Sequence, residues 1–315
     1  MFGNLMLLAM LGVKGAPNVA AARILREKTF EEIIVQDGEH SRQRIAVIPL
    51  RGIIAMGQPG DLGEDIVADF KRALDQARHD DTVRAVVISV DSPGGEITAS
   101  DVLYNALRDF AKVKPAVVFF NSIGASGAYY TACGATKIMC NPTTFTGSIG
   151  VIISTLNYRD LFGKVGLEAV IFKSGKFKDM LNGAREMNEE ERAYVQQLVM
   201  QSYERFLGIV ATARGLDPAG LRDGVADGRI LSGSDALDAK LVDSLGYIED
   251  AYAAARDLGK APGAQVIEYK RQIGFADLFS MFGQTRGPEI RINLFEGAAR
   301  LEPGRAYLLP AIFAR

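Results

Sequence analysis

Short runs of consecutive apolar residues divide the first half of this chain, and stretches with helical spacing separate them. The runs are RIAVIPLRGII (44–54), VRAVVISV (83–90) and PAVVFF (115–120). A strand that is apolar at consecutive positions has to be covered on both faces, which is typical of parallel sheets flanked by helices. We therefore expect an α/β fold with a mostly parallel sheet.

The remaining stretches predict the helices that cover this sheet. Residues 61–80 and 97–113 each place apolar side chains on one helical face. A longer helix is expected after Asn188, where Glu191 completes a capping box, and should end at Gly215. The apolar stripe of this long helix is predicted at Val195, Leu198, Ser202, Phe206, Ile209 and Ala213.

Further elements are expected between residues 121 and 175. The stretch NSIGASGAYYTACGATKI (121–138) contains a short helix rich in small residues, and KIMCNPTTFTGSIGVI (137–152) returns to strand character. LNYRDLFGKVG (156–166) is predicted to be helical. LEAVIFKSG (167–175) is predicted to be a strand that leads into a lysine-rich loop.

Charge and histidine content exclude several classes of function. The 315 residues carry a net charge of -2 without a Lys/Arg-rich stripe, so nucleic acid is not an expected partner. The two histidines, His40 and His79, lie in polar stretches, which leaves little for a Ser-His-Asp triad or a multi-histidine metal site. Cys133 and Cys140 lack CxxC spacing and are expected to be small buried hydrophobes. We expect neither a metal nor a cofactor.

Three segments are predicted from composition. Residues 1–40 form an N-terminal segment, residues 41–260 the main domain, and residues 261–315 a C-terminal extension. The N-terminus, MFGNLMLLAMLGVKG, is apolar over about a dozen residues, fewer than the ~20 that span a bilayer as a helix. It is a candidate for a membrane-surface segment, a docking helix or the remnant of an anchor.

DSPGG (91–95) follows an apolar run and precedes a helical stretch. Two glycines at that place allow a sharp turn and leave backbone amides uncovered, and the start of a helix adds positive partial charge. Such a place would suit an oxyanion. The same residues also fit a plain strand-to-helix turn, which the motif alone slightly favours, so both interpretations stay open.

Ser126 lies within a run of very small residues, GASGA (124–128). This run nearly matches the G-x-S-x-G nucleophile elbow, with Ala128 in place of the last glycine. Small neighbours would let a substrate backbone approach the hydroxyl, and the amide of Gly127 would be a donor to an oxyanion. Close packing of a helix on a sheet also needs small residues, so both interpretations stand.

A serine nucleophile needs a base, and KSGKFKD (173–179) contains three lysines. A lysine amine accepts a proton near neutral pH when burial or nearby positive charge lowers its pKa. On an extended chain, Lys176 and Lys178 would face one side and Lys173 the other. The alternative is a solvated basic loop.

Six pieces follow one another along the chain: IAVIPLRGII, VDSPGG, ASGAYYTACGATKI, TGSIGVI, KSGKFKDM and GRILSGSDALDAKLVDSLG. In this order they resemble the signal peptide peptidase A family of serine proteases, in its half-size bacterial form. The resemblance covers about residues 44–250. It implies a Clp protease/crotonase-like fold of repeated ββα-type units, and a Ser-Lys dyad that hydrolyses peptides through an acyl-enzyme without a cofactor.

The resemblance also assigns roles to individual residues. Ser126 would be the nucleophile, Lys178 the general base, and Ser148 the residue that orients the lysine. The amides of Gly95 and Gly127 would form the oxyanion hole.

Three more residues receive supporting roles from the same resemblance. Gly94 would shape the turn beside the oxyanion hole. Lys173 and Lys176 would be positively charged neighbours of the base.

Partners and location follow from the resemblance as well. It implies cleavage of signal peptides and other apolar or membrane-associated polypeptides, with small or apolar residues near the cut. It implies a homo-oligomeric ring or dome whose active sites neighbouring subunits complete. The bacterial cell envelope is the expected location, with the cytoplasm as alternative because the N-terminal apolar stretch is short.

Two other functions and the end of the chain complete these expectations. A crotonase-type acyl-CoA enzyme and a non-catalytic ring-forming scaffold are the alternatives to a peptidase. The apolar tail AYLLPAIFAR (306–315) resembles a substrate and is expected either in a groove of the assembly or as a packed terminal strand.

Overall fold

One sheet dominates the computed structural model, which describes residues 30–39, 42–57 and 65–271 and the backbone of residues 307–308. The order of its main strands is β1-β9-β2-β3-β4-β5-β8, with β6, β7 and β10 paired beside this path. The strands are β1 (Phe30–Gln36), β2 (Arg44–Ile54), β3 (Val83–Glu96), β4 (Ala116–Ala125), β5 (Lys137–Cys140), β6 (Phe145–Gly147), β7 (Ile230–Ser232), β8 (Ser244–Leu245), β9 (Gln265–Arg271) and β10 (Tyr307–Leu308).

Helices cover the sheet, and capping residues in the sequence set where several of them begin and end. Asp65 caps the first helix by accepting from the backbone N–H groups of Val67 and Ala68. Asn188 and Glu191 form the predicted capping box, and Gly215 ends that helix with a φ of 62°. The helices are α1 (Ile66–His79), α2 (Ile97–Ala111), α3 (Gly127–Ala132), α4 (Arg159–Lys164), α5 (Glu189–Arg214), α6 (Pro218–Asp223), α7 (Gly233–Asp238) and α8 (Ile248–Leu258).

The central strand pairs are parallel, which confirms the predicted α/β class. β2 pairs in parallel with β3 and β9, and β4 pairs in parallel with β3, β5 and β6. Val86 and Ile88 on β3 belong to one buried cluster, whereas Ala85 and Val87 belong to another. Because successive side chains of a strand point to opposite faces, apolar layers cover both sides of the sheet.

The two strands that lead to the predicted site are longer than their apolar runs. β3 continues through DSPGG to Glu96, and α2 begins directly after it at Ile97, so the motif precedes a helix as predicted but lies in the strand and not in a turn. The extension is held by pairing with β2, where Ile53 and Ile54 lie opposite Gly94 and Gly95. A local pattern of small residues does not reveal such a distant partner.

Two further predictions differ from the structure. LEAVIFKSG (167–175) forms no strand, and residues 163–176 are all exposed. In the predicted stripe of α5, Phe206 is buried but Ala213 is exposed, and the buried residues near the C-terminal end are Phe206, Leu207, Val210 and Ala211. Within the described residues, the buried apolar side chains of α5 are concentrated at residues 206–211, where the helix packs on the core.

The sheet reaches beyond the predicted main domain. β1 (Phe30–Gln36) and β9 (Gln265–Arg271) pair with each other, and β9 also pairs with β2. The division at residues 40 and 260 therefore does not coincide with the edges of the sheet, and most of the two predicted terminal segments lies outside the described residues. Within the described parts, no helix has the length and apolar character needed to cross a membrane.

Candidate active site

Ser126 occupies a strained corner between β4 and α3. Its φ of 53° and ψ of -114° lie in a region that residues with a side chain rarely adopt, at a cost of about 1–3 kcal/mol. The corner is held because the Ser126 N–H donates to the carbonyl oxygen of Gly147 at 2.8 Å, while its own carbonyl accepts from the N–H of Tyr130 at 2.8 Å. Ser126 is fully buried, and its Oγ has no hydrogen-bond partner among the described residues.

The two predicted oxyanion glycines lie side by side at this corner. A Cβ added to Gly127 would lie 3.0 Å from the backbone nitrogen of Gly95 and 2.4 Å from the Oγ of Ser100. A Cβ added to Gly95 would lie 1.9 Å from the carbonyl oxygen of Ile54, so only glycine fits there. An oxyanion hole is commonly built from backbone N–H donors, and two neighbouring glycines beside a serine can supply them.

Gly94 and its neighbour Ser92 shape the strand beside these glycines. Gly94 has a φ of 103°, and its N–H donates to the Oγ of Ser92 at 3.1 Å. The amide of Gly94 is thus occupied by a side chain of its own strand, consistent with a role in shaping rather than in binding.

Ser148 lies near Ser126 through the intervening residue Gly147. Gly147 binds the Ser126 N–H with its carbonyl, and Ser148 follows directly with a φ of 49° and 4% exposure. The N–H of Ser148 donates to the carbonyl oxygen of Arg229 at 2.8 Å, which fixes the backbone. The structure therefore brings four predicted site residues together: Ser126, Gly127, Gly95 and Ser148.

Lys178 is the predicted site residue that the single chain does not bring to the serine. It lies in a turn in which its N–H donates to the carbonyl oxygen of Gly175 at 3.1 Å, and it is exposed. Since the Oγ of Ser126 has no hydrogen-bond partner in the described chain, the two groups are not hydrogen-bonded within one copy.

The other two lysines of this segment are paired with carboxylates. Lys173 Nζ donates to Asp179 at 2.7 Å, and Lys176 forms an ion pair with Glu190. The Lys176 ammonium also lies 4.9 Å from the centre of the Phe177 ring. The two cations predicted to flank the base are thus balanced by opposite charge.

The C-terminal tail enters the site as a short strand. β10 runs antiparallel to β3, with Tyr307 opposite Glu96 and Leu308 opposite Gly95. The apolar tail thus adds a strand at the glycine whose amide is predicted to bind the oxyanion.

The tyrosines after Ser126 pack behind it, as expected. Tyr129 donates its hydroxyl to the carbonyl oxygen of Leu241 at 2.7 Å, and Tyr130 donates to Asp101 at 2.6 Å. Burial raises the pKa of both phenols above the ordinary value, so both remain neutral hydrogen-bond donors.

No cysteine or histidine of the described residues is hydrogen-bonded to the Oγ of Ser126. Burial raises the pKa of the Cys133 and Cys140 thiols to about 12, which confirms them as inert buried groups. His79 is exposed and pairs with Asp75, while His40 lies outside the described residues. In the described ranges, no cluster of three or more His, Cys, Asp or Glu side chains is arranged to hold a metal.

Sequence reasoning missed two supporting side chains. Ser100 on α2 contacts Gly127, and Asp91 holds β3 to β4 by accepting from the N–H groups of Ser122 and Ile123. Asp91 stands within the DSPGG motif, so its position was a usable indication, whereas Ser100 has no local pattern that marks it.

Known proteins resemble this chain over most of its length. Residues 108–261 match the model of peptidase family S49. A putative signal peptide peptidase SppA from Enterococcus faecium is 37% identical over 80% of this chain and 73% of that protein. A putative protease from Methanocaldococcus jannaschii is 36% identical over 67% of each chain. The chloroplastic serine protease SPPA of Arabidopsis thaliana is 30% identical over 70% of this chain and 33% of that protein.

Proposed function

The chain belongs to peptidase family S49 and is a serine peptidase, and we propose that Ser126 is its nucleophile and Lys178 its general base. The observation that carries this proposal is the corner at Ser126: a buried serine with a strained backbone and an Oγ without a hydrogen-bond partner in the described chain, beside Gly95 and Gly127. Strain of this kind is concentrated at functional sites. Membership of family S49 favours a peptidase over the crotonase-type enzyme, and the presence of both Ser126 and Lys178 argues against the non-catalytic scaffold.

The proposed reaction is acyl-enzyme peptide hydrolysis. The neutral amine of Lys178 takes the Ser126 proton while Oγ attacks the scissile carbonyl carbon. The N–H groups of Gly95 and Gly127 donate to the oxyanion that forms. The Lys178 ammonium then gives its proton to the leaving amine as the C–N bond breaks, and the freed amine activates water for deacylation.

Within this scheme, Ser148 would orient the lysine. Its neighbour Gly147 binds the Ser126 backbone, so Ser148 and the nucleophile are fixed by the same short segment. A hydroxyl at that place would accept from the Lys178 ammonium and keep the amine directed at Ser126 Oγ.

We place the base of each active site on a neighbouring copy of the chain. Residues 163–176, which lead to Lys178, are exposed throughout, and Phe172 and Val170 are 94% and 72% exposed. Exposed apolar side chains that lie together on a protein surface mark interaction sites. A second copy that covers this segment would bury it and carry Lys178 to a serine, in a homo-oligomer such as a ring or dome.

The substrates we propose are apolar polypeptides, including cleaved signal peptides. The Enterococcus faecium relative is a putative signal peptide peptidase, and the pairing of β10 with β3 offers a geometry for a substrate strand. Small or apolar side chains next to the scissile bond would fit this site, because glycines and a buried serine line it. Because such peptides are left in membranes, we propose that the enzyme works at the membrane of the cell envelope.

The test is hydrolysis of a fluorogenic apolar peptide by purified full-length protein. Ser126→Ala and Lys178→Ala should each lower kcat by roughly 10³-fold or more while the melting temperature is kept. Lys112→Ala is the matched control, because Lys112 is an exposed lysine that pairs with Asp109 far along α2. Wild-type rates in either Ser126→Ala or Lys178→Ala would refute the dyad.

A further inference from the structure

Residues 163–176, which lead into the turn that bears Lys178, give that turn little packing support. Those residues are exposed and belong to no strand, so packing holds this side of the turn weakly. The residue after the lysine is Asp179, whose side chain is only 9% exposed. Its carboxylate is therefore the first group after Lys178 that is held within the protein.

Arg185 binds this carboxylate through two guanidinium nitrogens, Nε and Nη2. Its Nε donates to one carboxylate oxygen of Asp179 at 2.7 Å, and its Nη2 donates to the other at 2.8 Å. Bidentate pairs of this geometry fix orientation as well as distance. Hydrogen bonds from Arg185, and then from Lys173, hold the pKa of Asp179 well below its usual range, so the pair remains charged at neutral pH.

The same guanidinium also binds the start of helix α5. Arg185 Nη1 donates to the carboxylate of Glu191 at 2.8 Å, and Nη2 donates to its second oxygen. Glu191 is 1% exposed and is itself fixed by the capping box with Asn188. Since α5 packs on the core through Phe206, the guanidinium joins Asp179 to a rigid element.

The backbone between Asp179 and Arg185 is strained. Leu181 has a φ of 67°, which is unusual for a residue with a branched side chain. Such a conformation persists where several interactions with the surrounding structure hold it in place. Here the N–H of Asn182 donates to the Asp179 carbonyl at 3.2 Å, and the Leu181 carbonyl accepts from Thr155 Oγ1 at 2.9 Å.

We propose that Arg185 is a positioning residue that fixes the general base, by joining the carboxylate of Asp179 to the buried Glu191 at the start of α5. The inference rests on the proposed function, since it assumes that Lys178 is the base. In this scheme Arg185 acts through the backbone and has no contact with the substrate or the reacting atoms. It acts by holding the backbone next to Lys178, so that the lysine side chain has one direction of approach to Ser126.

The experiment measures kcat, KM and the melting temperature of the full chain on the apolar peptide for variants of this link. Arg185→Gln and Asp179→Asn should each lower kcat by about 10- to 100-fold with KM changed by less than about threefold, because a misplaced base slows chemistry and not binding. The kcat of the double variant should be no lower than that of either single variant, because each single substitution already breaks the same link. Arg185→Lys keeps the positive charge but loses the bidentate geometry of the guanidinium, so it should recover only part of kcat.

Arg222→Gln is the matched control. Arg222 pairs with Glu204 on the surface of α5, away from the lysine turn, and exposed pairs of this kind contribute little. Its kcat should remain within about twofold of the wild type. If Arg185→Gln does not fold, the near-isosteric Asp179→Asn carries the test.

Three outcomes separate this inference from the proposed function. Unchanged kcat in both Arg185→Gln and Asp179→Asn, with Lys178→Ala inactive, would overturn the positioning role and leave the dyad intact. A fall in kcat that only follows a fall in melting temperature, or that adds up in the double variant, would also overturn it. Full activity of Lys178→Ala would instead refute the dyad itself.

Discussion

Ser126 is fully buried and Lys178 is exposed, and no hydrogen bond joins the Ser126 Oγ to the lysine within one chain. A general base has to come within about 2.6–3.2 Å of the group whose proton it takes. The residues between Ser148 and Lys178 expose large apolar side chains, including Leu156 at 81% and Phe172 at 94%. Both facts fit an active site that a neighbouring copy completes.

Mixing two inactive variants tests this arrangement. In oligomers formed from Ser126→Ala and Lys178→Ala chains, a quarter of the sites would combine an intact serine with an intact lysine from the neighbour. Co-expression should therefore restore about a quarter of the wild-type rate per site. Each variant expressed alone is the control, and absence of recovery in verified mixed oligomers would place both residues on the same chain.

Substitution of Gly127 should close the proposed oxyanion hole. In Gly127→Ala the new methyl group meets Ser100 Oγ at 2.4 Å and the Gly95 nitrogen at 3.0 Å, so kcat should fall by about 10²-fold or more. Adding Ser100→Ala removes the closer clash and should recover stability but not kcat, because the contact with Gly95 remains.

Gly208→Ala is the control for this substitution. Gly208 lies in helix α5, and a Cβ there would meet nothing within 4 Å. It should raise the free energy of unfolding by about 0.5–1 kcal/mol and leave kcat unchanged. A Gly127→Ala enzyme with wild-type kcat would contradict the proposed oxyanion hole.

Removal of the C-terminal tail should make the site more accessible to peptides. Tyr307 and Leu308 pair with Glu96 and Gly95, the place where we expect a substrate strand. A chain that ends at residue 300 should therefore have a lower KM for the apolar peptide, with kcat unchanged. An unchanged KM would indicate that the tail strand does not compete with substrate.

The two thiols should be unreactive in the folded protein. Burial raises the pKa of Cys133 and Cys140 to about 12, so at pH 8 both are protonated thiols, and the thiolate is the reactive form. A chromogenic disulfide should label neither thiol in the native protein and both after denaturation. Rapid native labelling, or inactivation by a thiol reagent, would contradict this burial.

The class of fold was predictable because it depends on local patterns. Consecutive apolar residues required cover on both faces of the strands, and the Asn188 cap and the Gly215 stop are short-range features. The extension of β3 across DSPGG was not predictable, since it depends on pairing with Ile53 and Ile54 of a strand about 40 residues earlier. The strand predicted at 167–175 failed because apolarity alone gives no pairing partner.

The geometry of the candidate site was predictable in part for the same reason. Small residues around Ser126 left nucleophile and packing equally possible, and the ordered motifs favoured the nucleophile. The link from Asp179 through Arg185 to Glu191 was not predictable, because charged residues at these spacings are usually solvated. Their burial and bidentate geometry appear only in the folded chain.

Labelling with a fluorophosphonate, followed by mass-spectrometric mapping, tests the central claim most directly. This reagent phosphonylates an activated serine hydroxyl and needs no knowledge of the natural substrate. We predict one modified residue, Ser126, with no labelling of Ser126→Ala and much slower labelling of Lys178→Ala. Modification of a different residue, or equal labelling rates in the wild type and Lys178→Ala, would contradict the assignment of the dyad.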